Sequence, residues 1–479
     1  MKNKFFIIFL FVLFPLIVGL ACTCGLLPIG GEKVKETEEQ VLVAPSAVVV
    51  EELPTEEPTK AELPTEEEIV TEEAQPVETD EALADSIENL VLLKENWGSN
   101  EEYVFVGFIL SNQNEELSLT DIEYSIALLD SNGQEVINDW NTYPRLLPGE
   151  NLGIFFQSPI VEGEPTVESV EITYSYEDTE TSDRDASPFT TDKIMFWEGD
   201  LWPVVTGIIN NTESIVYTDV RAGIILYNAA GDIVGGGTSY VDFIPGNDLM
   251  GFSTYVDAYD TVASVEVFPT ITYSTEEYDD SVSLWERASI LEYNFYADDY
   301  DFLYGGATIQ NNLDKALNDA VLTVTFFDQD GYVTCYGTEY IDILLPGEQF
   351  GVAPYIYSQP KGASASDYTI VIFPGEPVDD YELTENVFVV NNAELTGDFN
   401  DYVKVNFTNT YTKQITDVDV FTLFYDSNDL IIGGGSMYFS EPIPAGASKD
   451  FEFYVTYDNE ETVSRIEAWV LPNYWTVFE

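Results

Sequence analysis

Carboxylates are the side chains of this sequence whose number and spacing best suit chemistry. The 479 residues include 87 Asp and Glu against 17 Lys and Arg, and they include no His. Without His, the Ser-His-Asp triad, His general-base catalysis and His metal ligation are all excluded. Two kinds of oxygen chemistry are left: paired carboxylates acting as acid and base, and several carboxylates binding a hard cation such as Ca²⁺.

One acidic loop has the composition of a calcium site. Asp298, Asp299 and Asp301 lie within four consecutive residues, and Ca²⁺ prefers several carboxylate oxygens from converging loops. Further acidic loops lie at 278–280 and 378–380. We expect no cofactor. The alternative is a structural Ca²⁺ that stiffens the array, bound by these acidic loops between repeats 2, 3 and 4.

The segment 328–331, Asp-Gln-Asp-Gly, also begins like a calcium loop. Its twelfth position is Glu339, which a predicted strand separates from the loop. A calcium loop needs that position close by, so a plain hairpin turn is the favoured interpretation. Acid pairs occur throughout the chain and single out no pair for glycoside hydrolysis. We therefore predict that the protein is not an enzyme and name no catalytic residue.

Aromatic residues and one cysteine are the other candidates. Trp140, Trp202 and Trp475 suit stacking on a sugar or contact with a protein, although rings of this size are usually buried, and we expect them in the core. Cys335 stands alone in a strand-like run. An isolated Cys behaves as a small hydrophobic residue, so we predict a buried, inert thiol.

The charge limits the partners. The formal net charge is −70, and phosphate backbones and anionic lipid headgroups are recognised through Lys and Arg. We expect no nucleic-acid partner and no electrostatic attraction to an anionic membrane surface. A strong negative charge also keeps a protein soluble by self-repulsion, which is the favoured reason for it here.

The N-terminus has the pattern of an export signal. Residues 1–22 combine Lys2 and Lys4, an apolar run and the small residues that precede Cys22, an arrangement that resembles a bacterial lipobox. The resemblance implies lipidation of Cys22 and a lipoprotein anchored in a membrane, facing the extracellular space or the periplasm. Cleavage by signal peptidase I and an uncleaved membrane anchor remain as alternatives. Residues 23–86, rich in Pro, Glu and Thr, predict a disordered acidic linker.

From residue 87 onward, a short box recurs and predicts repeated domains. Its four copies begin at Ile126, Ile224, Val324 and Thr422 and end at Asp130, Asn228, Asp328 and Asp426. The ends are 98, 100 and 98 residues apart, about the size of one small β-sandwich domain. In each copy an Asp lies nine residues before the box end, at positions 121, 219, 319 and 417.

Turn residues follow each box at fixed distances. The side chain at the box end can bond the backbone of a tight hairpin, and a Gly three residues later accepts positive φ without steric cost. The glycines are Gly133, Gly231 and Gly331, and the fourth copy lacks one. A second turn begins at Pro148, Pro245, Pro346 and Pro444. Short β-rich runs between turns give about seven strands per repeat.

These patterns predict an all-β fold: a tandem array of four immunoglobulin-like β-sandwich domains after the disordered acidic linker. The predicted repeats span 87–180, 188–278, 286–378 and 385–479. We expect no helix in this region. The Gly-Gly-Gly runs after Val234 and Ile432 are read as bulges or close packing, because no helix follows that would make a phosphate loop.

The box, the Asp before it and the Pro-Gly turn together resemble the FxLYD family of bacterial surface domains. The resemblance covers roughly residues 87–479. It departs at the Phe that opens the family box, which is Ile126, Ile224, Val324 or Thr422 here. It implies the sandwich fold and a surface lipoprotein without a known enzymatic role.

The sequence therefore favours a non-catalytic, surface-anchored protein whose four modules serve adhesion, protein–protein interaction or spacing. Its expected partner is a protein or a glycan at the cell surface, with the membrane reached through the N-terminal lipid. A carbohydrate- or cell-wall-binding protein is the first alternative, and a carboxylate-dependent hydrolase is the second.

Overall fold

The computed structural model describes residues 89–160, 165–182, 184, 187–199, 202–298, 302–356, 359–379, 381–397, 401–458 and 461–478. The predicted signal, Cys22 and the predicted linker lie outside these residues. The described residues between Asn89 and Phe478 form one compact unit.

Strands make up nearly all of the secondary structure. Those of repeat 1 are β1 (Leu90–Ser99), β2 (Tyr103–Asn112), β3 (Leu117–Leu129), β4 (Glu135–Leu146), β5 (Asn151–Pro159), β6 (Ser169–Ser175) and β7 (Asp178–Thr181). Those of repeat 2 are β8 (Phe189–Trp197), β9 (Val204–Asn211), β10 (Ile215–Tyr227), β11 (Ile233–Ile244), β12 (Leu249–Tyr255), β13 (Asp257–Ala258), β14 (Ser264–Thr270) and β15 (Glu277–Asp279).

Repeats 3 and 4 follow the same order. Repeat 3 contains β16 (Ala288–Ala297), β17 (Leu303–Asn311), β18 (Ala316–Phe327), β19 (Val333–Leu344), β20 (Gln349–Val352), β21 (Tyr355–Ile356), β22 (Asp367–Phe373) and β23 (Glu376–Val378). Repeat 4 contains β24 (Phe388–Thr396), β25 (Tyr402–Asn409), β26 (Ile415–Tyr425), β27 (Ile431–Phe439), β28 (Ser448–Tyr454), β29 (Thr456–Tyr457) and β30 (Arg465–Phe478).

Each repeat is a sandwich of two antiparallel sheets, which confirms the predicted fold class. In repeat 1 one sheet has the order β1-β2-β5, and the other has β4-β3-β6 with β7 also paired to β3. The last two strands therefore share one edge of the third strand. In repeat 4 they are fused into the single strand β30, which pairs with β26 along its length. In each repeat, the sheet that contains the first, second and fifth strands is called the first sheet. The sheet that contains the third and fourth strands is called the second sheet.

One helix differs from the expectation. The single turn α1 (Val282–Trp285) lies between repeats 2 and 3, where none was predicted. Leu284 is buried in the core of repeat 2, and the Trp285 ring lies 6.4 Å from the Phe243 ring. The helix forms because this connection buries two apolar side chains on one short turn.

A buried asparagine ties the two sheets of each repeat together. The side-chain nitrogen of Asn112 donates to the carbonyls of Leu117, Leu146 and Leu147 at 2.8 to 3.0 Å. Its equivalents at the ends of the second strands, which make matching bonds to carbonyls in their own repeats, are Asn211, Asn311 and Asn409. A side chain that satisfies several buried carbonyls at once fixes the loop register of the sandwich.

The acid nine residues before each box end lies where the third strand interrupts its ladder pairing, a position we call the bulge. Asp121, Asp219, Asp319 and Asp417 have φ between 48° and 62°. Asp is among the few non-glycine residues that adopt this left-handed region with modest strain. In repeat 2 the pairing steps from Thr218 to Val220 and leaves Asp219 out of the ladder. The sequence spacing of the acid thus reflects a backbone requirement.

Consecutive repeats pack face to face. The first sheet of repeat 1 packs on the second sheet of repeat 2, mainly through β5 on β10 and β2 on β11. Contacts of β12 with β19 and of β17 with β27 join the later repeats in the same way. We call these contacts interface 1–2, interface 2–3 and interface 3–4. They turn the four sandwiches into a continuous stack of sheets.

Burial along the strands follows this stacking. The third strands of the later repeats, β10, β18 and β26, are buried on both faces over most of their length. The corresponding strand of repeat 1, β3, alternates buried and more exposed residues, and so does β25 in repeat 4. The two ends of the stack therefore present polar faces, as terminal repeats of an array must for solubility.

Candidate functional site

The box ends cap their hairpins. Oδ1 of Asp328 accepts hydrogen bonds from the backbone nitrogens of Asp330 at 2.9 Å and Tyr332 at 2.8 Å. The same pair of bonds, to the residues two and four positions later, is made by Asp130, Asn228 and Asp426. The fourth residue of each turn has positive φ: Gly133, Gly231, Gly331 and, in place of the missing glycine, Asp429. These residues serve the fold of their own repeats.

Two of these turns also receive a side chain from the preceding repeat. Nζ of Lys193, in repeat 2, donates to the carbonyls of Asp330 at 2.9 Å and Gly331 at 3.0 Å. Lys94, in repeat 1, donates to the Gly231 carbonyl. In the loop that resembles the start of a calcium site, an ammonium group thus contacts carbonyl oxygens. The hairpin is part of an inter-repeat contact, which the sequence did not suggest.

The prolines of the second turn occupy the same place in every repeat. Pro148, Pro245, Pro346 and Pro444 each follow the fourth strand of their repeat and precede the fifth strand. In repeats 1 and 3 the Pro-Gly pair is followed by a Glu. Burial raises the pKa of Glu150 and of Glu348 to about 7. Glu348 accepts a 2.6 Å hydrogen bond from Asn386, in the connection to repeat 4.

The candidate calcium loop is the tip of a hairpin. Asp298 follows β16 in the first hairpin of repeat 3. Its Oδ1 accepts a hydrogen bond from the backbone nitrogen of Phe302 at 2.8 Å. Strand β17 returns directly along β16. The Tyr296 hydroxyl of this hairpin donates to Oδ2 of Asp458, in repeat 4, at 3.2 Å, so the hairpin lies beside the next repeat. Asp299 and Asp301 lie outside the described residues. Among the described residues, no group of three or more His, Cys, Asp or Glu is placed to hold a metal ion.

The three candidate tryptophans are exposed, so the expectation that they lie in the core is wrong. Trp140 is 66% exposed, Trp202 is 51% exposed and Trp475 is 68% exposed. They lie on an outward face of an edge strand or at loop ends, where no second sheet covers them. Cys335 is completely buried, and burial raises the pKa of its thiol to about 12. Its chemistry is that of an inert core residue.

The sequence motifs did not predict the interfaces between repeats, although the sequence contains a signal for them. Two residues after the bulge Asp, the chain has Glu123, Arg221, Val321 and Asp419. In the fifth strand, the equivalent positions are Gly153, Gly251, Gly351 and Asp450. A glycine stands where the next repeat covers the strand, and an Asp stands at the end face. Strands buried on both faces also read as continuous apolar runs.

Interface 3–4 contains buried carboxyl groups. Burial raises the pKa of Glu339, in β19, to about 8, and its Oε1 accepts a 2.6 Å hydrogen bond from Ser436 of the next repeat. Burial, and then the nearby Asp342 charge, raise the pKa of Asp419 to about 7. Carboxyl groups in this range hold protons near neutral pH. The interface is therefore sensitive to protonation.

Interface 1–2 carries the candidate site. A groove of about 360 Å³ opens at the surface of this interface. Its lining is aromatic and hydroxyl-bearing and consists of Asn141, Thr142, Tyr143, Tyr240, Thr272, Tyr273 and Ser274. The groove lies between the edge strand β4 of repeat 1 and the residues that follow β14 of repeat 2. Neither repeat forms it alone.

Hydrogen bonds hold the groove across the interface. The Tyr273 hydroxyl donates to Oδ1 of Asp121, in repeat 1, at 2.5 Å, and this bond raises the pKa of Tyr273. Within repeat 2, Ser274 donates to Asp219. Beneath the groove, the guanidinium of Arg221 lies 5.3 Å from the centre of the Tyr143 ring. The arrangement offers rings, hydroxyls and carboxylate acceptors, which suits binding of a polar ligand.

Within the described residues, no helix has the length and apolar character needed to cross a membrane. No family model and no curated protein matches the chain. A solved structure of a Salmonella alpha-2-macroglobulin mutant is similar over 81% of this chain and 31% of that chain, with 10% identity and a TM-score of 0.09. The chain thus spans about a third of that protein, and a likeness at this level carries no argument.

Proposed function

We propose that this protein is a non-catalytic, surface-anchored protein of the FxLYD type whose four sandwiches act as one stiff body that displays binding surfaces or sets a distance from the envelope. The observation that carries the proposal is the face-to-face packing of the repeats. A flexible string of domains would leave both faces of every sandwich polar, whereas here the inner faces are apolar and shared.

The contacts across the interfaces support stiffness. Asn96 donates to the carbonyl of Ile233 in the next repeat at 2.8 Å, and Asn294 makes the equivalent bond to Ile431 at 2.7 Å. Apolar clusters span the same interfaces: Ile109 packs with Ile225, and Ala353 packs with Leu423. Interfaces that combine buried apolar area with fixed hydrogen bonds restrict relative domain motion.

Calorimetry of the full chain tests the stiff body. Coupled repeats should unfold in one transition, or in far fewer steps than four, because loss of one repeat exposes the apolar face of its neighbour. Four separable transitions would contradict the proposal. Small-angle scattering then measures whether the folded region has a fixed length.

Anchoring needs its own experiment. We expect wild-type cells grown with a labelled fatty acid to yield a labelled protein in the membrane fraction, and Cys22→Ala to yield an unlabelled one. A labelled Cys22→Ala protein, or a mature N-terminus elsewhere than Cys22, would contradict lipidation. Protease treatment of intact cells would show whether the repeats are exposed at the surface.

A further inference from the structure

We propose that the groove at interface 1–2 binds a neutral sugar unit of a glycan chain. The proposal goes beyond stiffness and anchoring, and it depends on neither. It rests on the composition of the groove, on the hydrogen bonds that fix its walls and on the charge around it.

The composition of the groove matches a sugar better than a hydrocarbon. Tyr240 is 51% exposed and Tyr273 is 60% exposed, so two rings are open to contact from solvent. The C–H face of a sugar packs on such rings, while its hydroxyls need nearby donors and acceptors. Asn141, Thr142 and Ser274 supply amide and hydroxyl groups within the same groove. A volume of about 360 Å³ lies within the usual range for small-molecule sites.

The walls are fixed before any ligand arrives. Thr272 Oγ1 lies 2.9 Å from Ser274 Oγ, and its backbone nitrogen donates to Thr275 Oγ1 at 2.9 Å. Thr275 Oγ1 in turn donates to the Asp219 carbonyl at 3.0 Å. The loop that carries Tyr273 is therefore held against the bulge of its own repeat, while the Tyr273 hydroxyl reaches Asp121 of repeat 1. A preorganised site loses less entropy on binding.

The charge around the groove selects a neutral ligand. Asp121 and Asp219 lie directly behind the lining and accept hydrogen bonds from it. Two nearby arginines are paired with acids: Arg184 with Glu277 at 3.0 Å and Glu213 at 3.1 Å, and Arg145 with Glu277 at 3.8 Å. The third, Arg221, is buried beneath the Tyr143 ring, where it donates to the Gly153 carbonyl, so its charge is not presented at the groove surface. With a net charge of −70 over the chain, phosphorylated, sulfated or uronic-acid glycans would be repelled. Sugar hydroxyls can instead donate to the carboxylates.

The test is a titration of the full chain with three neutral oligosaccharides: cellohexaose, maltohexaose and the hexamer of N-acetylglucosamine. We expect at least one to bind. Tyr240→Ala and Tyr273→Ala should each raise the Kd about tenfold, which corresponds to about 1.4 kcal/mol, because each removes one ring from contact with the sugar. Tyr454→Ala is the matched control, because Tyr454 is 59% exposed but lies on β28 of repeat 4.

Each other outcome overturns the proposal. If none of the three oligosaccharides binds, the neutral-sugar site is rejected. If Tyr240→Ala and Tyr273→Ala bind as tightly as the wild type, the sugar binds elsewhere. A lysine oligopeptide is the competing probe, because rings beside carboxylates also suit a cation. Binding of that peptide, lost in the groove variants, together with no sugar binding would assign a cationic partner instead. Thermal melts of all variants check that the exposed substitutions leave the fold intact.

Discussion

Interfaces 2–3 and 3–4 share one backbone frame but differ in the residue at its centre. Two residues after the bulge, β18 has Val321 and β26 has Asp419, paired across the ladder with Tyr340 and Tyr438. Val321 belongs to a continuous apolar cluster that includes Phe243 of repeat 2 and Phe373 of repeat 3. Asp419 lies near other carboxyl groups. The frame therefore fixes how repeats stack, and single residues decide how each interface responds to solvent conditions.

Interface 1–2 has a third type of residue at the same position, Arg221. Nη2 of Arg221 donates to the Gly153 carbonyl of repeat 1 at 2.9 Å, while its Nη1 makes no hydrogen bond within the described residues. A buried cation without a carboxylate partner is stabilised here by a carbonyl and by the Tyr143 ring. The position two residues after the bulge Asp is therefore a cation in interface 1–2 (Arg221), an apolar residue in interface 2–3 (Val321) and an acid in interface 3–4 (Asp419).

Exchange of the central residues should give the largest effect. Val321→Asp places a carboxyl group in the apolar cluster of interface 2–3, where nothing pairs with it, and should cost about 3 kcal/mol of unfolding free energy. The reciprocal change, Asp419→Val, removes a buried acid and should be neutral or stabilising at pH 8. Denaturant titrations of both variants measure the two costs. Equal destabilisation by both would show that the interfaces do not differ as described.

Overpacking should break an interface while sparing the end face. A Cβ at Gly351 would contact Leu423 and lie 2.8 Å from Cη2 of Trp469, both in repeat 4. Gly351→Val should therefore cost about 2 kcal/mol, as is usual for an extra group in a packed core. Asp450→Val, at the equivalent position on the exposed face of repeat 4, is the control and should have a smaller effect. A larger loss for the control would contradict the polar end face.

Comparison of these two positions also shows what the sequence could predict. The box, the bulge Asp and the turns recur with fixed spacing because each satisfies backbone needs inside one repeat, and those needs are local. The all-β sandwich fold followed from them. Gly351 and Asp450 differ because of what lies across an interface, which local patterns do not contain. The sequence of the third strand did contain a sign of the stacking. In β10 both faces are largely apolar, whereas in β3 apolar and polar residues alternate.

The candidate site was harder to predict for the same reason. Tyr240 and Tyr273 belong to repeat 2, and Asn141 belongs to repeat 1, so their proximity depends on how two repeats dock. The sequence identified the three tryptophans as candidates. It could not predict that they are exposed, because a ring in an edge strand is buried only if another element covers it. Asp298 was named for its acidic neighbours and lies in a hairpin.

Glu339 should make the stability of interface 3–4 depend on pH. Glu339 has an ordinary pKa of 4.5 when unfolded and about 8 when folded, so the folded state binds more protons between these values. Stability therefore falls as pH rises through this window and levels off above about pH 8. Glu339→Gln keeps the shape and a partner for Ser436, and it should add about 1 kcal/mol at pH 8 while flattening the slope.

Melting temperatures between pH 5 and pH 9 measure that slope. Glu135→Gln is the control for the loss of one negative charge, because Glu135 is exposed on β4 and should leave the slope as in the wild type. An unchanged slope in Glu339→Gln would mean that this carboxyl group is ionised within the folded interface.

The smallest predicted effect concerns the box turns. Asp328→Ala removes two hydrogen bonds to the hairpin backbone and should cost about 1 kcal/mol, a usual value for a lost side-chain cap. The same hairpin presents its carbonyls to Lys193 of repeat 2, so its distortion should also weaken interface 2–3. Asp130 caps the equivalent turn of repeat 1, on the end face that no other described repeat covers. Asp130→Ala should therefore destabilise the protein less than Asp328→Ala, and denaturant titration of both variants would reveal the difference. Equal losses would mean that the turn acts only within its own repeat and that the lysine contact adds no stability.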